Sequence, residues 1–431
     1  MAAALIAGFL AVPWVMVSIA IPLFVVLPML KVFVSPAIGP VKDGFSFSAL
    51  IAATILAFRR RTARREARID RPILVFLAVL FALYLVNIGG LITGESGHNL
   101  AWFQGVRLFC EPLALLLAGL SLREPARTLA AARKALIASA VACAIYGVAQ
   151  QGLGVGRLEG YGYVYGTQIR QITGHIRSFG TLDDPFLYAS FLLLGLATIL
   201  MSRRLTGWTY VLSAIVAAGL VASFVRTAAV VALGVVGLAL GRRGHGLTAL
   251  FIVAVAIAIA GTTFVLASDQ TSTRTVNINP TTYVTLNGRT QKWRSEIGSI
   301  GNWPFGRGVA VIGSAAQRAQ ESLTGKIEVG SGPPIVPVDS GYFTLIGDVG
   351  LFGLVAYLAL LSRIVVVGRR AARRGYSEGW LAISVVVVML VDAVSRETFT
   401  GYPIAYLGML MAGLACSAAQ ARVASSRLLD L

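Results

Sequence analysis

Seven basic residues, Arg274, Arg289, Lys292, Arg294, Arg307, Arg318 and Lys326, crowd one segment, 268–338, of a chain that is otherwise apolar runs and short connectors. Asp339 follows directly at the end of that segment. Elsewhere Arg226 stands alone between two apolar runs in VASFVRTAAVVALG, and Arg170 and Arg177 flank His175 in IRQITGHIRSFG. A guanidinium offers a planar fork of donors that matches the paired oxygens of a phosphate. A carboxylate or imidazole nearby can take a proton from a hydroxyl. Together these types suit a reaction in which cations neutralise a phosphorylated leaving group while an acceptor hydroxyl is oriented or deprotonated. His98, His175 and His245 are far apart and show no zinc spacing, so neither a metal nor another cofactor is expected.

Such residues need elements to hold them, and composition indicates which. Of 431 residues, 56% are hydrophobic and 13% charged, with a mean hydropathy of +0.77. Apolar runs of about twenty residues recur along the chain, the length that crosses a bilayer as a helix. The expected fold class is all-α, a polytopic membrane protein forming a single integral membrane domain over 1–431, with 268–338 as its large external loop. The tract RRRTARREARIDR, Arg59 to Arg71, packs seven arginines between two apolar runs and must be cytoplasmic. Alternating from it, spans fall near 46–58, 72–91, 102–120, 135–153, 185–201, 207–223, 226–241, 247–267, 341–362, 379–395 and 403–420. Residues 3–34, interrupted by Pro13, Pro22 and Pro28, add one tilted or broken span, giving about 12 with both ends cytoplasmic; two crossings there would give thirteen. That stretch lacks a basic start and runs on too long for a cleaved signal peptide.

Every connector assigned to the cytoplasm is basic. Those segments take 22 of the 37 lysines and arginines but only 5 of the 19 acids. The formal charge of +18 thus reflects insertion orientation and attraction to anionic lipid of the bilayer, and no nucleic-acid partner is implied. Against this background the basic residues of 268–338 lie on the side where positive charge is scarce, which calls for an anionic substrate. Arg226 at the outer face has two readings: snorkelling to lipid phosphate, or a fixed clamp on a pyrophosphate.

Charges within the spans extend the same theme. Arg107 and Glu111 are four residues apart, the spacing of an intrahelical pair. Asp348 lies two turns into the helix after the loop, and Asp392, Arg396 and Glu397 cluster at the outer end of the next. Each is expensive in hydrocarbon, so they predict a polar chamber on the external side. Cys110, Cys143 and Cys416 fall within spans and read as packing residues. Tyr161, Tyr163, Tyr165, Trp293 and Trp303 suit either the membrane interface or stacking on sugars.

The order of SFVRTAAVVALGVVGLAL, NGRTQKWRSEIGSIGNWPFGRGVAVIG and VDSGYFTLIGDVGLFGLVAYLALL, preceded by RSFGTLDDPFLYASFLLL, resembles the O-antigen ligase and polymerase superfamily, integral membrane glycosyltransferases of type C fold. The likeness covers roughly residues 170 to 367. It implies transfer of a glycan from an undecaprenyl pyrophosphate-linked oligosaccharide to an acceptor glycan, without a metal, at the outer face of the bacterial cytoplasmic membrane. By position it implies that Arg226 and Arg289 bind the donor pyrophosphate, as catalytic residues together with Asp339. Arg170, Arg177, His175, Lys292, Arg294 and Asp348 are then candidate substrate-binding residues.

Where ligases of the family carry a histidine, this chain reads Val338, Asp339, Ser340, Gly341, which looks more like the polymerase and exopolysaccharide branch. Asp339 or His175 would activate the acceptor, or Asp339 would simply cap the following helix. The resemblance thus implies a polymerase of O-antigen, capsule or exopolysaccharide repeat units, working alone or with a chain-length regulator or flippase. The alternatives are a ligase acting on lipid A core or protein, and a secondary transporter or lipid-carrier flippase. A transporter would gather charge near the midplane, whereas here it concentrates in outer loops and outer helix ends.

Overall fold

The computed structural model describes residues 2–62, 69–93, 99–172, 174–202, 206–244, 304–313 and 340–429. The span expected at 247–267, most of the 268–338 loop, and Arg289, Lys292, Arg294 and Asp339 lie outside the described residues. In chain order the helices are α1 Ala2–Ala11, α2 Pro13–Phe33, α3 Val41–Thr62, α4 Arg71–Val86, α5 Ile88–Thr93, α6 Asn99–Ser121, α7 Pro125–Leu153 and α8 Val155–Gly160. There follow α9 Pro185–Leu200, α10 Gly207–Ala222, α11 Arg226–Gly241, α12 Gly341–Ala372, α13 Ser377–Asp392 and α14 Ile404–Leu429. Among the described residues, seven helical stretches, containing α2, α3, α4 with α5, α6, α7, α12 and α14, are long and apolar enough to cross a membrane. Helices α1, α9, α10 and α11 are apolar but shorter. Among the described residues, a two-stranded antiparallel hairpin, β1 Gln171–Ile172 and β2 His175–Ile176, with Gln171 opposite Ile176, interrupts the helices.

Helix α14 forms the centre. Its apolar window is 89% buried, against 39% for α2, α7 and α12. Small residues make this burial possible, because without a hydrophobic force between helices in lipid, association relies on close backbone packing. At the crossing of α6 and α14, a Cβ on Gly413 would lie 2.5 Å from the Leu116 carbonyl oxygen, and one on Gly119 would lie 2.7 Å from that of Leu410.

The N-terminal stretch is broken, as expected, but at a single place: α1 ends at Ala11 and α2 starts at Pro13. Pro22 and Pro28 lie inside α2 without ending it. Pro28 has no N–H for the carbonyl of Phe24 four residues back. The Tyr402 hydroxyl donates to that carbonyl at 2.5 Å. One residue on, the Val25 carbonyl accepts from Thr181 Oγ1 at 2.8 Å, and the Met29 N–H donates to the Thr181 carbonyl at 3.1 Å. The disrupted turn is thereby satisfied by partners outside the helix, as a helix in lipid requires, and α2 becomes tied to the loop before α9.

Two expectations are corrected. The span expected near 46–58 starts earlier: α3 begins at Val41, and Lys42 and Asp43 are buried, 4% and 9% exposed. Arg107 and Glu111 do not pair with each other. Lys42 Nζ binds Asp43 Oδ1 at 2.6 Å and Glu111 Oε2 at 2.7 Å, and Arg107 binds Asp43 Oδ2 at 3.2 Å. The Tyr406 hydroxyl accepts from Lys42 at 3.2 Å. The physical reason is common to both: two cations and two anions sharing one cluster across α3 and α6 leave no net charge in hydrocarbon, which an isolated Arg107–Glu111 pair beside a buried Lys42 would not achieve.

Candidate anion-binding site

The loop from Arg170 to Asp184 is held from beneath by two adjacent glutamines at the end of α7. Gln150 Oε1 accepts from the backbone N–H groups of Phe179 and Gly180, both at 3.0 Å, and its Nε2 donates to the Gly180 carbonyl at 3.0 Å. Gln151 Nε2 donates to the carbonyls of Ile176 and Ala222 and to Ser178 Oγ. Backbone donors and acceptors of the loop that have no helix or sheet ladder are met in this way. The loop is therefore a fixed platform, not a tether.

On this platform the short hairpin sets two arginines side by side, the Arg177 N–H donating to the Arg170 carbonyl at 2.7 Å. The chain then reaches Asp184, which starts α9: its Oδ1 accepts from the N–H groups of Phe186 and Leu187, with Pro185 at the first helical position. Its other oxygen lies 3.4 Å from Arg170. Arg396, beyond the end of α13, reaches the same place. It donates to the Phe186 carbonyl at 2.6 Å, to Ser190 Oγ, and to Thr227 Oγ1 in the first turn of α11 at 3.0 Å, and pairs with Asp392 at 3.1 Å. The Phe186 ring has the Arg177 guanidinium 4.5 Å and the Arg396 guanidinium 5.1 Å from its centroid.

Arg226 opens α11 beside Thr227. The turn before it runs through Phe224 at φ 50°, and the Phe224 ring stacks on His175 with centroids 5.9 Å apart and planes at 16°. Val225 at the N-cap supplies no side-chain hydrogen bond, leaving the first-turn N–H groups of α11 without that kind of partner. Burial lowers the pKa of Arg177; Asp184 opposes this, and the charges of Arg170, Arg396 and Arg226 lower it further. A guanidinium so displaced still carries its proton at neutral pH. The charges of Arg170, Arg396 and Arg226 thus all act on Arg177. Arg177 Nε is buried and has no hydrogen-bond acceptor among the described residues.

Of the residues expected from sequence, Arg170 and Arg177 stand side by side, and Arg226 opens α11 two residues after Phe224, on which exposed His175 stacks. Asp348 does not join them. It is 3% exposed, and its oxygens accept from the Ala310 N–H at 3.1 Å and the Tyr84 hydroxyl at 3.4 Å. Its role is to fasten residues 304–313 against α4 and α12, where Val309 N–H also meets Asn87 Oδ1 at 2.8 Å. Glu397 borders that segment: a Cβ on Gly313 would lie 2.7 Å from its Oε1. Gln150, Gln151 and Phe186 went unsuspected in the sequence, and a glutamine pair inside an apolar run is the one signal that marked any of them.

No protein-family model matches the chain, and no curated protein shows significant sequence similarity to it. The geometry therefore carries the functional argument. Arg170 and Arg177 on the loop, with Arg396 and Arg226 on the elements beside it and with Arg177 Nε buried, can hold a group with several anionic oxygens. Among the described residues, no three His, Cys, Asp or Glu side chains come together as a metal site would need.

Proposed function

We propose that this protein is a glycosyltransferase of the bacterial cytoplasmic membrane, with twelve spans and its active site on the outer face, and that the arginine cluster holds the diphosphate of a polyprenyl-linked glycan donor. The observation that carries this reading is the meeting of Arg177 and Arg396 on the Phe186 ring, with Arg170 on the neighbouring Asp184, Arg226 opening α11 beside Thr227, and Arg177 Nε buried with no acceptor among the described residues. In the reaction, an acceptor sugar hydroxyl attacks the anomeric carbon of the donor sugar. The bond from that carbon to the diphosphate oxygen breaks, and the diphosphate leaves with the electron pair. Preorganised guanidinium groups stabilise that developing charge. The hydroxyl proton passes to Asp339 or His175. Arg289, Lys292 and Arg294 of the large loop would complete the hold on donor or acceptor. The acidic sequence at 338–341, in place of a histidine, favours repeat-unit polymerisation over transfer to lipid A core or protein.

The test uses purified protein with a lipid-pyrophosphate oligosaccharide. A ladder of products means polymerase, and a single transfer to an added acceptor means ligase. Arg177→Ala and Arg226→Ala should each lower turnover by about a hundredfold or more, with lysine restoring only part because it lacks the bidentate fork. Wild-type turnover in both alanine variants refutes the clamp. Substrate-dependent lipid translocation in proteoliposomes without any glycosidic product refutes the enzyme reading and leaves the transporter.

A further inference from the structure

At the end of α7 remote from Gln150, roughly 35 Å along the helix axis from that residue to Arg127, a groove of about 550 Å³ opens between α2 and α7. Trp14, Ser18 and Pro22 form one wall, and Arg127, Ala131 and Lys134 the other, with further alanines as floor. The Arg127 guanidinium lies 3.7 Å from the centroid of the Trp14 ring. An aromatic at the end of an apolar helix marks the headgroup level of a bilayer. A void in contact with hydrocarbon forfeits packing on both sides, so a groove at this level would take up a lipid chain. What the structure decides is which headgroup sits above it.

Arg127 and Lys134 are seven residues apart, two turns along one face of α7. Helical side chains lean toward the N-terminus of their helix, so the Lys134 stem points back toward Arg127 and the bundle end. Both side chains are exposed, and neither is consumed by a strong partner: Arg127 meets Glu124 at 3.2 Å, but those side chains are 60% and 52% exposed, and such pairs are weak. The four alanines at 130, 131, 135 and 138 keep the floor low enough for an acyl chain to lie between the helices. We infer that this groove is a binding site for an anionic glycerophospholipid, its phosphate held by Arg127 and Lys134 and its acyl chain seated on the alanine floor against Pro22. The inference does not depend on the transferase reading.

The test reconstitutes the intact protein in nanodiscs of equal parts phosphatidylglycerol and phosphatidylcholine, recovers it in mild detergent, and counts retained lipids by native mass spectrometry. Wild type should retain phosphatidylglycerol over phosphatidylcholine by about tenfold, and the double variant Arg127→Gln with Lys134→Gln should retain the two equally. Arg373→Gln with Arg374→Gln, exposed at the end of α12 and outside the groove, removes the same charge and should leave the preference intact. Ala131→Phe fills the floor while keeping both cations, and should abolish retention of either lipid. Preference surviving in the Arg127/Lys134 variant, lost equally in the Arg373/Arg374 variant, or unchanged by Ala131→Phe overturns the site.

Discussion

Asp184 divides its two oxygens between folding and electrostatics. Oδ1 caps α9 through two backbone N–H groups, and Oδ2 tempers the charge of Arg170. Asparagine can keep the cap while removing the charge; alanine removes both. Asp184→Ala should therefore cost about 1 kcal/mol of stability and Asp184→Asn a fraction of that. Both should bind inorganic pyrophosphate more tightly than wild type, because a carboxylate competing for the arginines is gone. Titration calorimetry with pyrophosphate beside detergent-solubilised unfolding separates the two effects, and unchanged affinity in Asp184→Asn would show that the anion does not sit at this cluster. Arg170, Arg177 and Arg226 stood out in the sequence because positive charge is anomalous in segments expected to lie outside. Arg396 was visible as a charge, but its bond to Phe186 spans 210 residues and has no local signature. Asp348 looked like a site residue for the same reason it is a structural one: a carboxylate that deep must be hydrogen-bonded, and here backbone and tyrosine do so.

Element by element, hydrophobic run length located most helices, since a helix in lipid must satisfy its own backbone and the apolar run records where lipid begins. It fails where charge is buried with its partners: α3 begins before the apolar run because Lys42 and Asp43 are neutralised by α6. It is also blind to which helix lies innermost. The α6–α14 crossing supplies a measurable consequence. Gly413→Val places a Cβ 2.5 Å from the Leu116 carbonyl oxygen, and backbone cannot retreat as a flexible side chain can. The cost should be at least about 3 kcal/mol, at the upper end for overpacking, seen as loss of the monodisperse peak in size-exclusion chromatography. Gly234→Ala in α11 is the control, as a Cβ there meets nothing within 4 Å. Equal yields from the two variants would mean that the helices do not cross here.

For the whole molecule, the distribution of charge makes a claim about orientation. One end of the bundle carries Arg123, Arg127, Arg369, Arg370, Arg373 and Arg374 on α7, α12 and their flanks, while the platform with Arg170, Arg177 and Arg226 lies at the other end of α7. The charge bias of insertion would place the first end in the cytoplasm, and a site for a lipid-linked donor at the outer face requires the second end to be outside. The two conditions agree only if Arg373 and Val164 lie on opposite sides. Val164 is 56% exposed in the loop before β1, and Arg373 is exposed after α12. The native cysteines give little background, Cys143 and Cys416 being buried and Cys110 half-buried. In intact cells with a permeable outer barrier, a membrane-impermeant maleimide should label Val164→Cys and leave Arg373→Cys unlabelled until the cytoplasmic membrane is opened. The reverse pattern would turn the arginine platform toward the cytoplasm, away from acceptors assembled outside, and the transferase reading would fall with it.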